Sequence, residues 1–322
     1  MLNPCCDIRI QNNAGKILYF DVVQDLEIIR TWRELTSTAS FFLPRNIKGL
    51  KGERIDELIQ PGNKVVIKLG FNLEFAEEFT GEIVNIGSTN PAFVYCEDGM
   101  RQLKRGQKTV AYSNAKLSKL IKDIVPPGIP TDVIDASIGD VRFSKKTPAM
   151  ILHELRTKYG IYSYFRGSML CVGFAYPLAW AGDKNYLAKF HFQKSILDNN
   201  LEFKSVDEVN VKIRVSSLLA DNKVVFVEVG DPDGEQRNLH FYNISDKAEL
   251  RRRGEAELAR LKYAGYRGAF KSLGFPYVEH GYTVQLEDYE YPERTGKYFA
   301  DKVTVLYGNG YYRITELGAK AD

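Results

Sequence analysis

The sequence predicts a mainly β protein with an α+β component, in which two β-barrel segments flank a smaller α+β module. Three observations carry that expectation. Short runs of β-branched and aromatic residues, bounded by Gly, Asn and Pro, fill both ends of the chain, whereas helical periodicity dominates the middle. Net charge changes at the same places. Residues 1–97 hold 10 basic and 13 acidic residues (−3), 98–190 hold 15 and 7 (+8), and 191–322 hold 19 and 21 (−2). A length of 322 residues also allows two or three cores at roughly 150 residues each. The expected domains are therefore 1–97, 98–190 and 191–322, with part of the C-terminal end of the middle one packing back on the first barrel.

In the first segment, Ile8 and Ile10 mark a short strand before the turn Asn12-Asn13-Ala14-Gly15, and a β-rich stretch runs over 20–43. Strands follow at 64–69, 79–86 and 93–96. Ile55, Leu58 and Ile59 share one face of a short helix over 54–59, which Pro61-Gly62 stops. Such short strands with polar turns suit a small barrel or sandwich. In the middle segment, Leu117, Leu120, Ile121 and Ile124 form an i, i+3, i+4, i+7 stripe that ends at Pro126-Pro127-Gly128. A second helix spans 147–159: Thr147 can cap it, Pro148 can open it and Gly160 can end it left-handed. A hairpin around Arg166-Gly167-Ser168 should follow.

In the last segment, Val209, Val211, Ile213 and Val215 alternate with polar residues, as a half-buried strand does. A strand at 223–229 and the turn Asp231-Pro232-Asp233-Gly234 come next. A helix then carries Leu250, Leu258 and Leu261 on one side, with Asp246 and Glu249 placed as a capping box. Strands at 283–286, 298–306 and 311–317 close the segment, the last two joined through Gly308-Asn309-Gly310. These strands and the inserted helix are assigned to the second barrel.

Composition excludes several functions. The chain has 19 Tyr and 18 Phe but 4 Met, 4 His and 4 Cys, with a net charge of +3. That argues against a disordered chain, a disulfide framework, a membrane-spanning protein and a wholesale polyanion binder. Cys5, Cys6, Cys96 and Cys171 lack zinc or C-x-x-C spacing and read as free thiols. Residues 1–7 have no basic stretch leading into an apolar run, so a cytoplasmic site of synthesis and folding is expected.

Enzyme signatures are missing in the same way. No phosphate-binding glycine loop, dinucleotide fingerprint, nucleophile elbow or H-E-x-x-H motif occurs. His153 has no second His at i+4, and His191, His240 and His280 are scattered singly. The acidic groups Glu77-Glu78 and Glu287-Asp288 with Glu290 read as solvated strand ends and loops. Asp231-Pro232-Asp233-Gly234-Glu235 lacks calcium-loop spacing and reads as a turn. No catalytic, cofactor or metal residue is assigned. One chemical signal survives: Arg101, Lys104, Arg105 and Lys108 lead into Lys116, Lys119 and Lys122 on one helix side. It suits a solvated face, or a face for nucleic acid or an acidic partner. Arg251, Arg252 and Arg253 are balanced by Glu255 and Glu257.

A resemblance adds to this. Ala248-Glu249-Leu250 and Ala256-Glu257-Leu258-Ala259-Arg260-Leu261 lead to Gly265-Tyr266-Arg267-Gly268, then Gly274-Phe275-Pro276, Gly281-x-x-Val284-x-Leu286, and Gly296-x-Tyr298 with Val303. This order resembles the closing barrel of the phage late control D family, the baseplate hub proteins of contractile tails and the corresponding part of type VI secretion spike proteins. Phe79-Thr80-Gly81-Glu82-Ile83-Val84 is similar to a strand of that family's first barrel, and the middle segment fits through Gly160 and Leu170-Cys171-Val172-Gly173. His280-Gly281-Tyr282 departs from the Pro-Gly-Asp common in relatives.

The resemblance implies tube-like barrels and a non-enzymatic homotrimer, a ring joining the tail tube to a central spike around a channel. It implies the tail tube protein, a spike on a separate chain, and tape-measure and other baseplate proteins as partners. DNA would pass through the channel without specific binding. It implies a virion location after assembly in the bacterial host cytoplasm. The sequence stops at Asp322, soon after the expected second barrel and with no repetitive β-helix or lysozyme-like extension, so a spike is expected as a separate polypeptide. Two other readings stay open: a nucleic-acid-binding protein with OB-like barrels, and a cell-wall-binding or hydrolysing tail component.

Overall fold

The computed structural model describes residues 2–44, 55–176, 186–219, 221 and 223–321. The chain begins β1 (Pro4–Gln11), β2 (Ile17–Phe20), β3 (Gln24–Thr31), β4 (Thr38–Leu43), α1 (Ile55–Leu58), β5 (Lys64–Phe71), β6 (Glu74–Ile86) and β7 (Ala92–Glu97). It continues through α2 (Met100–Leu103), β8 (Lys108–Tyr112), α3 (Leu117–Ile124), β9 (Thr131–Val133), β10 (Val141–Lys146), α4 (Pro148–Tyr159), β11 (Tyr162–Arg166) and β12 (Met169–Gly173). Then come β13 (Leu187–His191), β14 (Ile196–Asn199), β15 (Glu202–Lys204), β16 (Val211–Leu218), β17 (Val224–Gly230), β18 (Glu235–Tyr242) and α5 (Lys247–Leu261). The chain closes with β19 (Gly265–Arg267), β20 (Ala269–Leu273), β21 (Thr283–Glu287), β22 (Gly296–Tyr307) and β23 (Tyr311–Lys320). The mainly β expectation holds. Position 54, where the sequence starts the first helix, lies outside the described residues.

The two β ends share one sheet of 13 strands. Its order is β14–β20–β23–β22–β3–β4–β7–β6–β5–β1–β2, with β13 and β21 joined alongside β22. β22 makes this possible because it is long. β23 takes one edge, while the other edge pairs β21 over Gly296–Phe299 and β3 over Lys302–Tyr307. Tyr298, Phe299, Ala300, Asp301, Val303, Thr304 and Val305 are all buried, so β22 is covered on both faces, as a central strand must be. The two ends are continuous in this one sheet, and among the described residues no sheet closes on itself.

The strands expected at 209–215 and 223–229 lie outside that sheet. β16 pairs β17 antiparallel and β18 parallel in a sheet of three, and α5 packs on it through Leu250, Leu258 and Leu261 against Val211, Ile213, Val215, Val227 and Val229. The tight crossover at 231–234 explains this topology. Asp231 N–H donates to Val211 O at 2.9 Å, and a Cβ on Gly234 would lie 2.7 Å from the Val211 backbone. Only glycine lets the chain cross the start of β16 so closely. Of the expected capping box at α5, half forms. Asp246 accepts from Ala248 N–H at 2.9 Å, but Glu249 turns to Arg252 and Arg253 at 2.6 and 2.7 Å.

A third core fills the middle segment. Leu117, Leu120, Ile121 and Ile124 of α3 and Ile151, Leu152 and Leu155 of α4 are fully buried in it. At α4, Thr147 accepts from Met150 N–H at 3.3 Å, Pro148 opens the helix, and Gly160 ends it at φ 63°. The hairpin β11–β12 forms as expected, and β9 joins β12 in parallel.

Candidate functional site: a buried junction and an open sheet edge

Glu78 is the centre of the junction where all three segments meet. Between β5 and β6 the register shifts: Ile67 faces Phe79 and Lys68 faces Glu77, so Glu78 is the extra residue of a β-bulge. A bulge re-aims one side chain, and here both Glu78 and Phe79 point inward. The Glu77-Glu78 pair looks solvated in the sequence, but the Glu78 side chain is fully buried. It receives Arg30 of β3 at 2.5 Å, Arg313 of β23 at 2.6 Å and the Tyr311 hydroxyl at 2.5 Å. Arg313, itself fully buried, also donates to Val278 O at 2.8 Å and Gly274 O at 3.1 Å. Arg30 reaches Tyr277 at 2.8 Å and Glu279 at 3.4 Å. From the middle segment, Arg166 at the end of β11 pairs Glu279 at 2.9 Å and donates to His280 O at 2.7 Å. Three guanidinium groups and two carboxylates thus pin the 274–282 connection between the long sheet and the β11–β12 hairpin. A cavity of 220 Å³ beside them is lined by Arg30, Glu78, Asp98, Phe165, Tyr277 and Glu279.

The junction sets a pH dependence. Burial opposes ionisation of Glu279, yet Arg166 and Arg30 outweigh it and hold the carboxyl at about 2 instead of 4.5. Burial, then the Arg166 charge, push His280 from 6.5 to about 3, and its ring packs edge-on to Tyr164 at 4.6 Å. Both groups contribute stability that acid removes. The His280 contribution fades below 6.5 and the Glu279 contribution below 4.5. Asp98 has the opposite sign. Burial raises it from 3.8 to about 6, so its contribution is present at low pH and is lost as pH rises through that value. Urea midpoints should therefore fall sharply once pH drops below 4.5, where Glu279 and His280 act together. A midpoint that stays constant or rises there would contradict this junction.

A second feature is the open edge at β2, which pairs β1 alone among the described residues. Tyr19 is 65% and Val22 71% exposed along it, with Ile17 exposed beside them. The β5–β6 hairpin tip adds Leu73, 76% exposed, and Phe75. Asn72 N–H donates to Asn3 O at 2.9 Å, which brings exposed Leu2 to the same tip. Unpaired backbone beside exposed apolar side chains is the composition of an assembly edge.

The other residues singled out by the sequence are dispersed. His153 is exposed on α4, His191 pairs Glu287 at 3.1 Å, and His240 meets Ser216 at 2.8 Å. Cys6, Cys96 and Cys171 are buried, and burial raises the Cys6 and Cys171 thiols to about 11, away from thiolate chemistry. The Asp231 stretch forms a turn whose carboxylate pairs Lys262 at 2.7 Å. Lys104 and Arg105 pair Glu97 and Glu82 at 2.8 and 3.7 Å. Lys116, Lys119 and Lys122 are exposed and make no ion pair among the described residues. No group of three His, Cys, Asp or Glu side chains among the described residues could hold a metal ion. No helix among them is long and apolar enough to cross a membrane.

No protein-family profile matches the chain, and no curated protein is similar to it in sequence. Solved structures are more informative: the chain has the fold of phage and prophage tail proteins. The tail protein from Neisseria meningitidis MC58 is similar with a TM-score of 0.65 at 14% identity, over 99% of this chain and 96% of that one. The 43 kDa tail protein of prophage MuSo2 from Shewanella oneidensis is similar at 0.62 and 13%, over 98% and 97%. The E. coli c3393 protein, described as a component of the type VI secretion system with structural similarity to T4 tail proteins, is similar at 0.55 and 10%, over 97% and 76%.

Proposed function

We propose that this protein is a structural baseplate hub of a phage tail or related contractile injection system and does not act as an enzyme. The observation that carries the reading is the fold shared with tail proteins over nearly the whole chain. The unpaired apolar edge at β2 supports self-assembly, because a neighbouring copy would cover it. On this reading the chain forms a homotrimeric ring around a channel and joins the tail tube protein to a central spike. Tape-measure and other baseplate proteins are further partners, and DNA passes without specific binding. The two halves of the long sheet, within 1–97 and 191–322, supply the tube-like barrel parts, and 98–190 decorates them. The assembly forms in the bacterial host cytoplasm and resides in the virion.

Light scattering across a concentration series tests this. Three chains of 36.6 kDa should give about 110 kDa alone, or a larger mass containing three copies on addition of tail tube protein. A strict monomer at high concentration under both conditions would overturn the reading.

A further inference from the structure

Two features that the hub reading does not use are complementary to each other. The first is the turn after β21, where Tyr289 and Tyr291 are 55% and 45% exposed. Their loop is built rigidly. Gln193 donates to Asp288 at 2.7 Å, Glu290 N–H donates to the same carboxylate at 2.9 Å, and Arg294 N–H donates to Tyr291 O at 3.0 Å. Tyr289 stacks on His191 at 5.1 Å, and the Arg294 guanidinium lies 4.1 Å from the Tyr291 ring centre. Exposed tyrosines on a pre-ordered loop lose little entropy on binding and are frequent anchors of protein interfaces. Glu290 has no side-chain partner among the described residues, and Glu293 reaches Arg294 at no closer than 3.9 Å. With Glu287, Asp288, His191, Lys194 and Arg294 around them, the surface is net negative.

The second feature is α3. Lys116, Lys119 and Lys122 are exposed beside one carboxylate, Asp123, and the segment that holds them carries the +8. Lys119 lies over the Tyr112 ring at 5.6 Å. The Tyr112 hydroxyl donates to Asp123, which ties this ring to the helix.

We propose that the Tyr289–Tyr291 turn of one copy docks on α3 of a second copy, with Glu290 and Glu293 meeting Lys119 and Lys122 and the tyrosine rings covering the lysine stems. The contact joins unlike surfaces, so it propagates head to tail and can close a ring. It rests on the reading that copies of this chain assemble.

The test is sedimentation of the full chain at low and high salt. Lys119→Glu/Lys122→Glu and Glu290→Lys/Glu293→Lys should each weaken association by about tenfold, and the four changes together should restore it to within about threefold of wild type. Tyr289→Ala/Tyr291→Ala should weaken it while preserving folding, because both rings are exposed. Assembly unchanged by either charge reversal, or no recovery in the fourfold variant, overturns this contact and leaves self-assembly standing. A wild type that is monomeric throughout overturns both. Binding of DNA to α3 with no effect of the Glu290 and Glu293 changes on assembly would assign the lysines to another partner and also overturn the contact.

Discussion

Glu78→Leu should cost about 3–5 kcal/mol of folding stability, because it strands two buried guanidinium groups at once. Arg313 is fully buried and Arg30 is 5% exposed, so both guanidinium groups lose their carboxylate away from bulk solvent. Tyr311 loses its acceptor as well. Arg30 keeps Glu279 at 3.4 Å, whereas Arg313 keeps no carboxylate among the described residues, with the carbonyls of Gly274 and Val278 and the Tyr311 hydroxyl at 3.3 Å as its remaining acceptors. Domains of ordinary stability hold roughly 5–15 kcal/mol, so soluble yield should fall with the urea midpoint. Glu78→Gln, which retains acceptor oxygen but no charge, should fall between wild type and Glu78→Leu. Glu77→Leu provides the control one residue away: Glu77 is exposed, and its replacement should change stability by no more than about 0.5 kcal/mol. Equal effects at 77 and 78 would contradict the bulge that separates them.

Gly254→Leu should destabilise the chain by about 1–3 kcal/mol, against the direction that helix propensity gives. Gly254 lies inside α5, where exchange for a better helix former would ordinarily gain about 1 kcal/mol. Here a Cβ would lie 2.6 Å from Val215 Cγ2 and 2.8 Å from Val229 Cγ2. Both neighbours are β-branched and have little rotamer freedom with which to move away. The glycine lets α5 sit close on the three-stranded sheet, and Gly254→Ala should already show the reversal. A higher melting temperature for either variant would contradict the close packing of α5 on β16 and β17.

What could be read from the sequence was local. Thr147, Pro148 and Gly160 specify α4 through backbone chemistry that needs no distant partner, and all three act as expected. The glycines of Gly308-Asn309-Gly310 mark the β22–β23 turn for the same reason. What could not be read was long-range pairing. β3 and β22 lie at opposite ends of the chain, and the alternation of each is equally compatible with a separate barrel. The strands over 211–242 have the same pattern as strands of the long sheet. Their separation depends on the crossover at Gly234 and on the α5 face, neither of which periodicity reveals.

The junction was hidden for a different reason. Glu77 and Glu78 look alike as a dipeptide, and the bulge that buries one of them exists only once β5 pairs β6. Arg30, Arg166, Glu279 and Arg313 are each unremarkable in sequence and come from three segments. The basic residues of α3 were visible early, and their exposure agrees with that reading.

Electron microscopy of the purified protein, alone and mixed with the proposed tail tube partner, tests the central claim most directly. The account predicts threefold rings with a central channel, in which the β2 edge of each copy is covered by its neighbour. Isolated single chains in both preparations, with that edge exposed, would contradict it.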